Sequence, residues 1–369
     1  MNNYKKLIKS FALAAFVVPV VSSCSDWTDV ESLDYNYTLP SEQDPEAYNA
    51  YLNLLREYKQ NPHKILIAKF DNSGYTVGGQ GDRISALPDS TDFVVLQAAD
   101  SLNPVTEQEM AEIREQKGTR TLYAVSYTDV EAALQAILDR EEAENDASQE
   151  ESESQAEEGG EAEQPAEPEA DRFTEVCNQY VDSLLALYDK YGYDGIQVVY
   201  SNPASPVGMP EAEKAQLQAR QATFFGKIKT WAESHQDAVF IFEGYTSNIM
   251  DASIFSYADY IVIPMLDAVS SDDVIWNAEM KLTEGVPADR IVFGVTIPDL
   301  ADEKATDGYF NGTNEDGTKV YAVIGAAYAV ISSQGTFEKA GLCVDNVRDD
   351  YFQREYTYGH IRQALQIMN

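Results

Sequence analysis

The sequence predicts an α/β fold, a closed (β/α)8 or TIM barrel interrupted by one acidic insertion, and three observations lead there. Eight short apolar runs recur along the chain, amphipathic stretches of helical spacing separate most of them, and the length suits a single barrel domain. Runs without a polar face, alternating with helices, mean parallel strands covered on both sides. The expected strands are Lys64–Phe70, Phe93–Gln97, Arg120–Ser126, Gly195–Tyr200, Ala238–Glu243, Tyr260–Met265, Arg290–Thr296 and Gly341–Asp345. Ahead of the first, Pro45–Gln60 sets Tyr48, Tyr51, Leu52, Leu55 and Tyr58 on one helical face. Helical spacing returns in Phe173–Tyr191, Glu211–Ser234 and Ser271–Glu284. No clear helix links the first two strands, and Leu300–Val320 reads as loop.

Composition removes several function classes. The 369 residues include 62 acids against 26 Lys and Arg, a net charge of −36. Phosphate backbones and anionic lipid surfaces are bound by clustered cations, so a nucleic-acid partner and basic membrane adhesion are both excluded. His63, His235 and His360 stand alone without metal-ligand spacing, and no glycine-rich phosphate loop or Ser-His-Asp arrangement is present. Neither a metal nor a cofactor is expected. Beyond Cys24 only Cys177 and Cys343 remain; one disulfide between them is chemically allowed, but their apolar settings favour two buried free thiols.

The amino terminus sets the compartment. Lys5, Lys6 and Lys9 precede an apolar run from Phe11 to Val21, the pattern of a secretory signal peptide over residues 1–23. Val21-Ser22-Ser23-Cys24 resembles a bacterial lipobox, which implies a lipidated Cys24 as the mature first residue. Cleavage there removes three lysines and no acid, taking the net charge from −36 to −39. Asp26, Asp29 and Glu31 resemble the acidic export signal of Bacteroidetes surface lipoproteins, with Trp27 and Thr28 interrupting it. The resemblance implies an outer-membrane protein, exposed at the cell surface and held to the membrane by its lipid anchor alone. Residues 24–44 then read as a polar tether, and 45–369 as the barrel.

Within the barrel, residues 139–171 hold 15 Asp and Glu among 33 positions against the single cation Arg140, with Gly159-Gly160, Pro165 and Pro168. A segment with so little to bury is expected to stay disordered.

Functional groups of such a barrel gather where its strands end at the carboxyl face. The segment Tyr191-Gly192-Tyr193-Asp194-Gly195-Ile196, followed by an alternating strand, resembles the fourth strand of glycoside hydrolase family 18, the chitinases and endo-β-N-acetylglucosaminidases. That family carries Asp-Gly-x-Asp-x-Asp-x-Glu there. The last strand, Ala340 to Asp345 with the turn to Tyr351, is similar as well. The resemblance implies hydrolysis in which the Glu protonates the glycosidic oxygen and the neighbouring Asp orients the substrate's acetamido group. Here Asp194 and Gly195 match, but Gln197 stands at the second Asp, Val199 at the third and Ser201 at the Glu. Near the family's Met-x-Tyr position on the sixth strand stand Leu266 and Asp267, with no Tyr. Serine cannot donate a proton to a leaving group at neutral pH, and loss of a general acid removes about two to four decades of rate. An Asp-Gly turn in an unrelated barrel would also account for Asp194 and Gly195.

The resemblance therefore implies a barrel that grips a glycan without cutting it. Candidates for that contact at expected strand ends are Asn72, Gln97, Tyr127, Gln197, Tyr200, Asn202, Glu243, Tyr245, Asp267, Trp276 and Asn346, although the tyrosines and Trp276 serve equally well in packing. The expected ligand is an N-acetylglucosamine-containing or N-glycan oligosaccharide, free or on a glycoprotein, passed to an outer-membrane importer. The alternative is an active endo-glycosidase with a displaced acid at Glu243 or Asp267.

Overall fold

The computed structural model describes residues 39–74, 76–153, 169–201, 205–299, 301–302, 304–313, 317–353 and 355–369. The signal peptide, Cys24, the tether as far as Thr38, and Asn202 lie outside the described residues. The described residues fall into two units, 39–50 and 51–369. In the first, the described residues are α1 (Pro40–Gln43) and the opening turns of α2 (Pro45–Gln60). The second is the barrel.

Its elements run β1 (Ile65–Phe70), β2 (Phe93–Leu96), α3 (Pro104–Lys117), β3 (Arg120–Ser126), α4 (Tyr127–Glu153), α5 (Glu169–Leu185), α6 (Leu187–Tyr191) and β4 (Gly195–Tyr200). After these come α7 (Glu211–Ser234), β5 (Val239–Gly244), β6 (Tyr260–Pro264), α8 (Ser271–Lys281) and β7 (Ile291–Thr296). The chain closes with β8 (Tyr309–Thr313), β9 (Lys319–Tyr321), α9 (Ala322–Ile331), β10 (Lys339–Asp345) and α10 (Gly359–Met368). Eight strands close into a parallel barrel in the order β1-β10-β7-β6-β5-β4-β3-β2. All eight expected strands are present. Short 3-10 turns take the place of a helix after β1 and again after β5.

Two expectations are corrected. The region read as loop, Leu300–Val320, contains β8 and the start of β9, an antiparallel hairpin braced by the Tyr309–Tyr321 ring pair at 5.1 Å. The acidic insertion is not disordered throughout: α4 runs on to Glu153, so Asp139–Glu153 is helix, and α5 begins at Glu169. Residues 154–168 lie outside the described residues. Glu, Ala and Gln are good helix formers and need no core to propagate a helix already nucleated by the packed turns at Tyr127–Leu134. Gln135 also bonds Asp139 one turn on, and Arg172 of α5 pairs with Glu141 of α4.

The period-two alternation of the strands sorts the core into two shells. Ile65, Ile67, Val95, Leu122, Ile241, Val262, Val292 and Cys343 fill the barrel, while their neighbours Leu66, Val94, Tyr123, Ile196, Phe242 and Phe293 pack outward under the helices. Cys177 and Cys343 are both free and buried. Burial pushes the Cys177 thiol up to about 11, so it has little thiolate at neutral pH.

The amino ends of the strands are fastened by a repeated device. Asp92, Asp194 and Asp259 stand immediately before β2, β4 and β6. Each takes the backbone N–H of the second residue of the preceding strand on its carboxylate: Leu66 at 2.9 Å, Thr121 at 2.8 Å and Phe240 at 2.9 Å. The N–H of each Asp donates back to the carbonyl of the same residue, at 3.0, 2.8 and 2.8 Å. Asp194 is further held by the Arg114 guanidinium at 2.6 Å. Gly195, next to it, admits the close approach of β5: a Cβ there would lie 2.0 Å from the Val239 carbonyl oxygen.

Candidate functional site

Six-residue strands rise about 20 Å, which separates Asp194 at one end of the barrel from the mouth at the other. Asp194 is thus a fastening of the kind that recurs before β2 and β6.

Inward positions of β4 carry Gly195, Gln197 and Val199 by alternation. Gln197 is fully buried and points across the lumen, its Nε2 3.7 Å from Cys343 Sγ on β10, the strand diametrically opposite. Its Oε1 has no partner. Val199 stands one layer higher, level with Ser126 on β3 and Glu243 on β5. Ser201 follows the strand and is exposed.

The floor of the mouth is ionic. Lys69, at the inward top position of β1, reaches across the barrel to Glu243 Oε1 at 3.2 Å and to Asp345 Oδ2 of adjacent β10 at 2.9 Å. Gln97 Nε2 donates to Asp345 Oδ1 at 3.0 Å, extending the network to the β2 end. Burial works against the Lys69 ammonium, but the carboxylates of Glu243 and Asp345 outweigh it and raise its pKa above the usual lysine value. Lys69 is therefore a fixed cation at the centre of the mouth. It was not among the residues expected at the site, although the alternation in Ile65-Leu66-Ile67-Ala68-Lys69-Phe70 puts it on the inward face.

The other expected contacts divide. Gln97, Gln197 and Glu243 belong to the lumen or its floor. Asn72 is buried and bonds both ways with the backbone of Ala98, at 2.9 and 2.8 Å, joining the loops after β1 and β2. Tyr127 and Tyr200 are buried outside the barrel, their rings 4.7 Å apart, with Gln221 donating to the Tyr200 hydroxyl at 2.8 Å. Each occupies an outward position, so neither reaches a ligand in the mouth. Tyr245 is half-buried with the Lys281 ammonium over its ring at 4.5 Å, which occupies that face. Asn346 adopts φ 55° and bonds the Ile297 carbonyl at 3.2 Å and Asp349 at 2.9 Å. Asp267 is exposed in the turn after β6. Trp276 is 58% exposed on the outer face of α8; it belongs to neither the core nor the mouth, since the buried stripe of that helix is Val274, Ile275 and Ala278.

A depression of about 910 Å3 opens at the opposite, amino-terminal end, beside Phe93, Arg120 and Tyr260. Its charges are largely satisfied internally, as in Arg114–Asp194 and Arg290–Asp289, and it holds the fastening aspartates. That lining reads as stability at the barrel base. Among the described residues no cluster of His, Cys, Asp or Glu could hold a metal ion, and no helix is long and apolar enough to cross a membrane.

The family model described as glycoside hydrolase family 18, BT1044-like, matches residues 28–367. A solved structure of a glutamate-to-glutamine variant of BT1044 aligns with TM-score 0.56 and 15% identity over 90% of this chain and 96% of that one. An endo-β-N-acetylglucosaminidase from Cordyceps militaris aligns with TM-score 0.53 and 14% identity over 87% and 96%. A double variant of that fungal enzyme, in complex with fucosyl-N-acetylglucosamine-Asn, aligns with TM-score 0.52 and 14% identity over the same shares. At these identities the likeness is one of fold. No curated protein matches the chain.

Proposed function

Because the chain belongs to glycoside hydrolase family 18, we propose that it is a glycan-binding member that holds N-acetylglucosamine-containing or N-glycan oligosaccharides without cleaving them. The observation that carries this reading is the ionic floor. Where the family resemblance calls for a proton donor and its aligning carboxylate, β4 and its end offer Val199 and Ser201, and the neighbouring acid Glu243 is committed to Lys69 as counter-ion. Glu243 Oε1 is thereby held against the Lys69 ammonium at 3.2 Å, turned to the barrel interior in place of a leaving group. Gln97, Asp345 and Lys69 still present donors and acceptors suited to sugar hydroxyls.

Isothermal titration with chito-oligosaccharides and with high-mannose and complex N-glycans tests the reading. Measurable affinity, together with no release of glycan from a labelled glycoprotein on long incubation, is the expected result. The hydrolytic alternative draws on one observation, the unpartnered Oε2 of Glu243. Release of glycan that disappears in Glu243→Gln would establish that alternative and end the binding-only reading.

The same proposal places the protein on the outer membrane through a lipidated Cys24, facing the medium and serving an oligosaccharide importer. Protease shaving of intact cells should remove it, whereas full protection would turn it toward the periplasm.

A further inference from the structure

The loop from Asn346 to Tyr358, between the end of β10 and α10, is fastened at every few residues. Asp350 is fully buried, accepts the Ile361 N–H at 2.9 Å and pairs with His360 at 2.8 Å. Tyr358, also fully buried and at φ 55°, donates its N–H to the Asp350 carbonyl at 2.8 Å. Arg348 pairs with Asp82 in the 3-10 turn that follows β1. In that turn Gly81 lies beneath two rings: a Cβ on it would stand 2.9 Å from Tyr351 and 3.2 Å from Phe352. Tyr351 meets Phe352 edge to face at 5.3 Å and Tyr358 at 5.5 Å.

On this seat Phe352 remains 66% exposed, and Tyr356 is 52% exposed nearby in the chain. Every other phenylalanine among the described residues is buried. Leaving a phenyl ring in water forgoes the gain of burying it, and here the loop around it is anchored from both sides, so the ring is presented rather than merely unpacked. Phe352 stands seven residues beyond Asp345 of the ionic floor, on a loop braced against the one that leaves Lys69.

We infer that Phe352 is a stacking platform on the rim of the barrel mouth for a pyranose ring of the bound oligosaccharide; the inference rests on the glycan-binding function proposed above. A sugar ring has an apolar C–H face with hydroxyls around its edge, and Phe352 offers an aromatic face beside the charged pair Arg348–Asp82. A single ring set among charged groups fits that amphipathic shape, where a protein partner would call for a broader apolar patch. Phe352 and the described residues beside it are held by the contacts above, so stacking there carries little further entropic cost.

The test is titration of the full chain with chitotetraose and with a biantennary N-glycan. Phe352→Ala should weaken binding about 2- to 12-fold, the range for one aromatic stacking contact. Phe352→Trp should keep the affinity and shift its added indole emission when the site is saturated. Trp276→Ala, on the outer wall, should leave affinity unchanged. Wild-type binding that survives Phe352→Ala intact, with no emission change in Phe352→Trp, would overturn the platform and leave the mouth as the binding site. No binding by the wild-type chain would overturn the proposed function and the platform together.

Discussion

Replacing Lys69 with Met removes the only cation on the floor of the mouth among the described residues and leaves two carboxylates facing each other across the lumen. Lys69 and Glu243 are 13% and 14% exposed, so Glu243 loses its counter-charge in a place water barely reaches. Asp345, at 38%, can be hydrated and keeps Gln97. Breaking a buried pair by deleting one partner costs about 3–5 kcal/mol, and the exposure of Asp345 places this case near 3. That is a large share of a total stability of about 5–15 kcal/mol. It corresponds to a fall in Tm on the order of 6 °C or more. Urea titration followed by circular dichroism measures it directly. Adding Glu243→Leu to Lys69→Met removes the stranded charge and should recover most of the loss, because an apolar pair of similar volume is close to neutral relative to a buried ion pair. If Lys69→Met loses less than about 1 kcal/mol, or the double variant falls by the sum of the single ones, the two side chains are not coupled and the ionic floor is misassigned.

Asp194→Ala leaves the Thr121 N–H without its side-chain acceptor and Arg114 with only the Gly192 carbonyl, so stability should drop by about 1–3 kcal/mol in the same titration while glycan affinity stays unchanged; an affinity loss at constant stability would return Asp194 to the binding site. Gly195→Ala drives a methyl group into the Val239 carbonyl and should yield little folded protein on expression, with a normal yield arguing against the close β4–β5 approach. The Asp92 carboxylate, through its hydrogen bond, raises the pKa of His63 above the usual histidine value. Its stabilising contribution is therefore complete below about pH 6.5 and lost as pH rises through the raised value. Denaturation midpoints of wild type minus His63→Gln should shrink over that rise, and a pH-independent difference would refute the linkage.

Much of the architecture was legible because burial on both faces leaves no ambiguity in an apolar run such as Ile291–Thr296 or Ile65–Ala68. The helix after α4's first turns was not, since composition reports what a segment can bury and says little about a helix extended from an ordered stub. Hairpin β8–β9 was hidden by polar residues around its short strands. At the site, residue type misleads more than position does: strand parity turns Tyr200 to the helices, and Tyr127 is buried at the start of α4. Lys69 was overlooked although the same parity points it inward. Phe352 stands in an aromatic-rich stretch, Tyr351 to Tyr358, that follows the last barrel strand, yet its exposure is not written in sequence.

The aspartate fastenings at β2, β4 and β6 sit at the base, and the Lys69, Glu243 and Asp345 network sits at the top. Anchorage and equipment are housed on separate storeys. Side chains on the upper storey can be exchanged without loosening the foundations, because the strands stay laced from below.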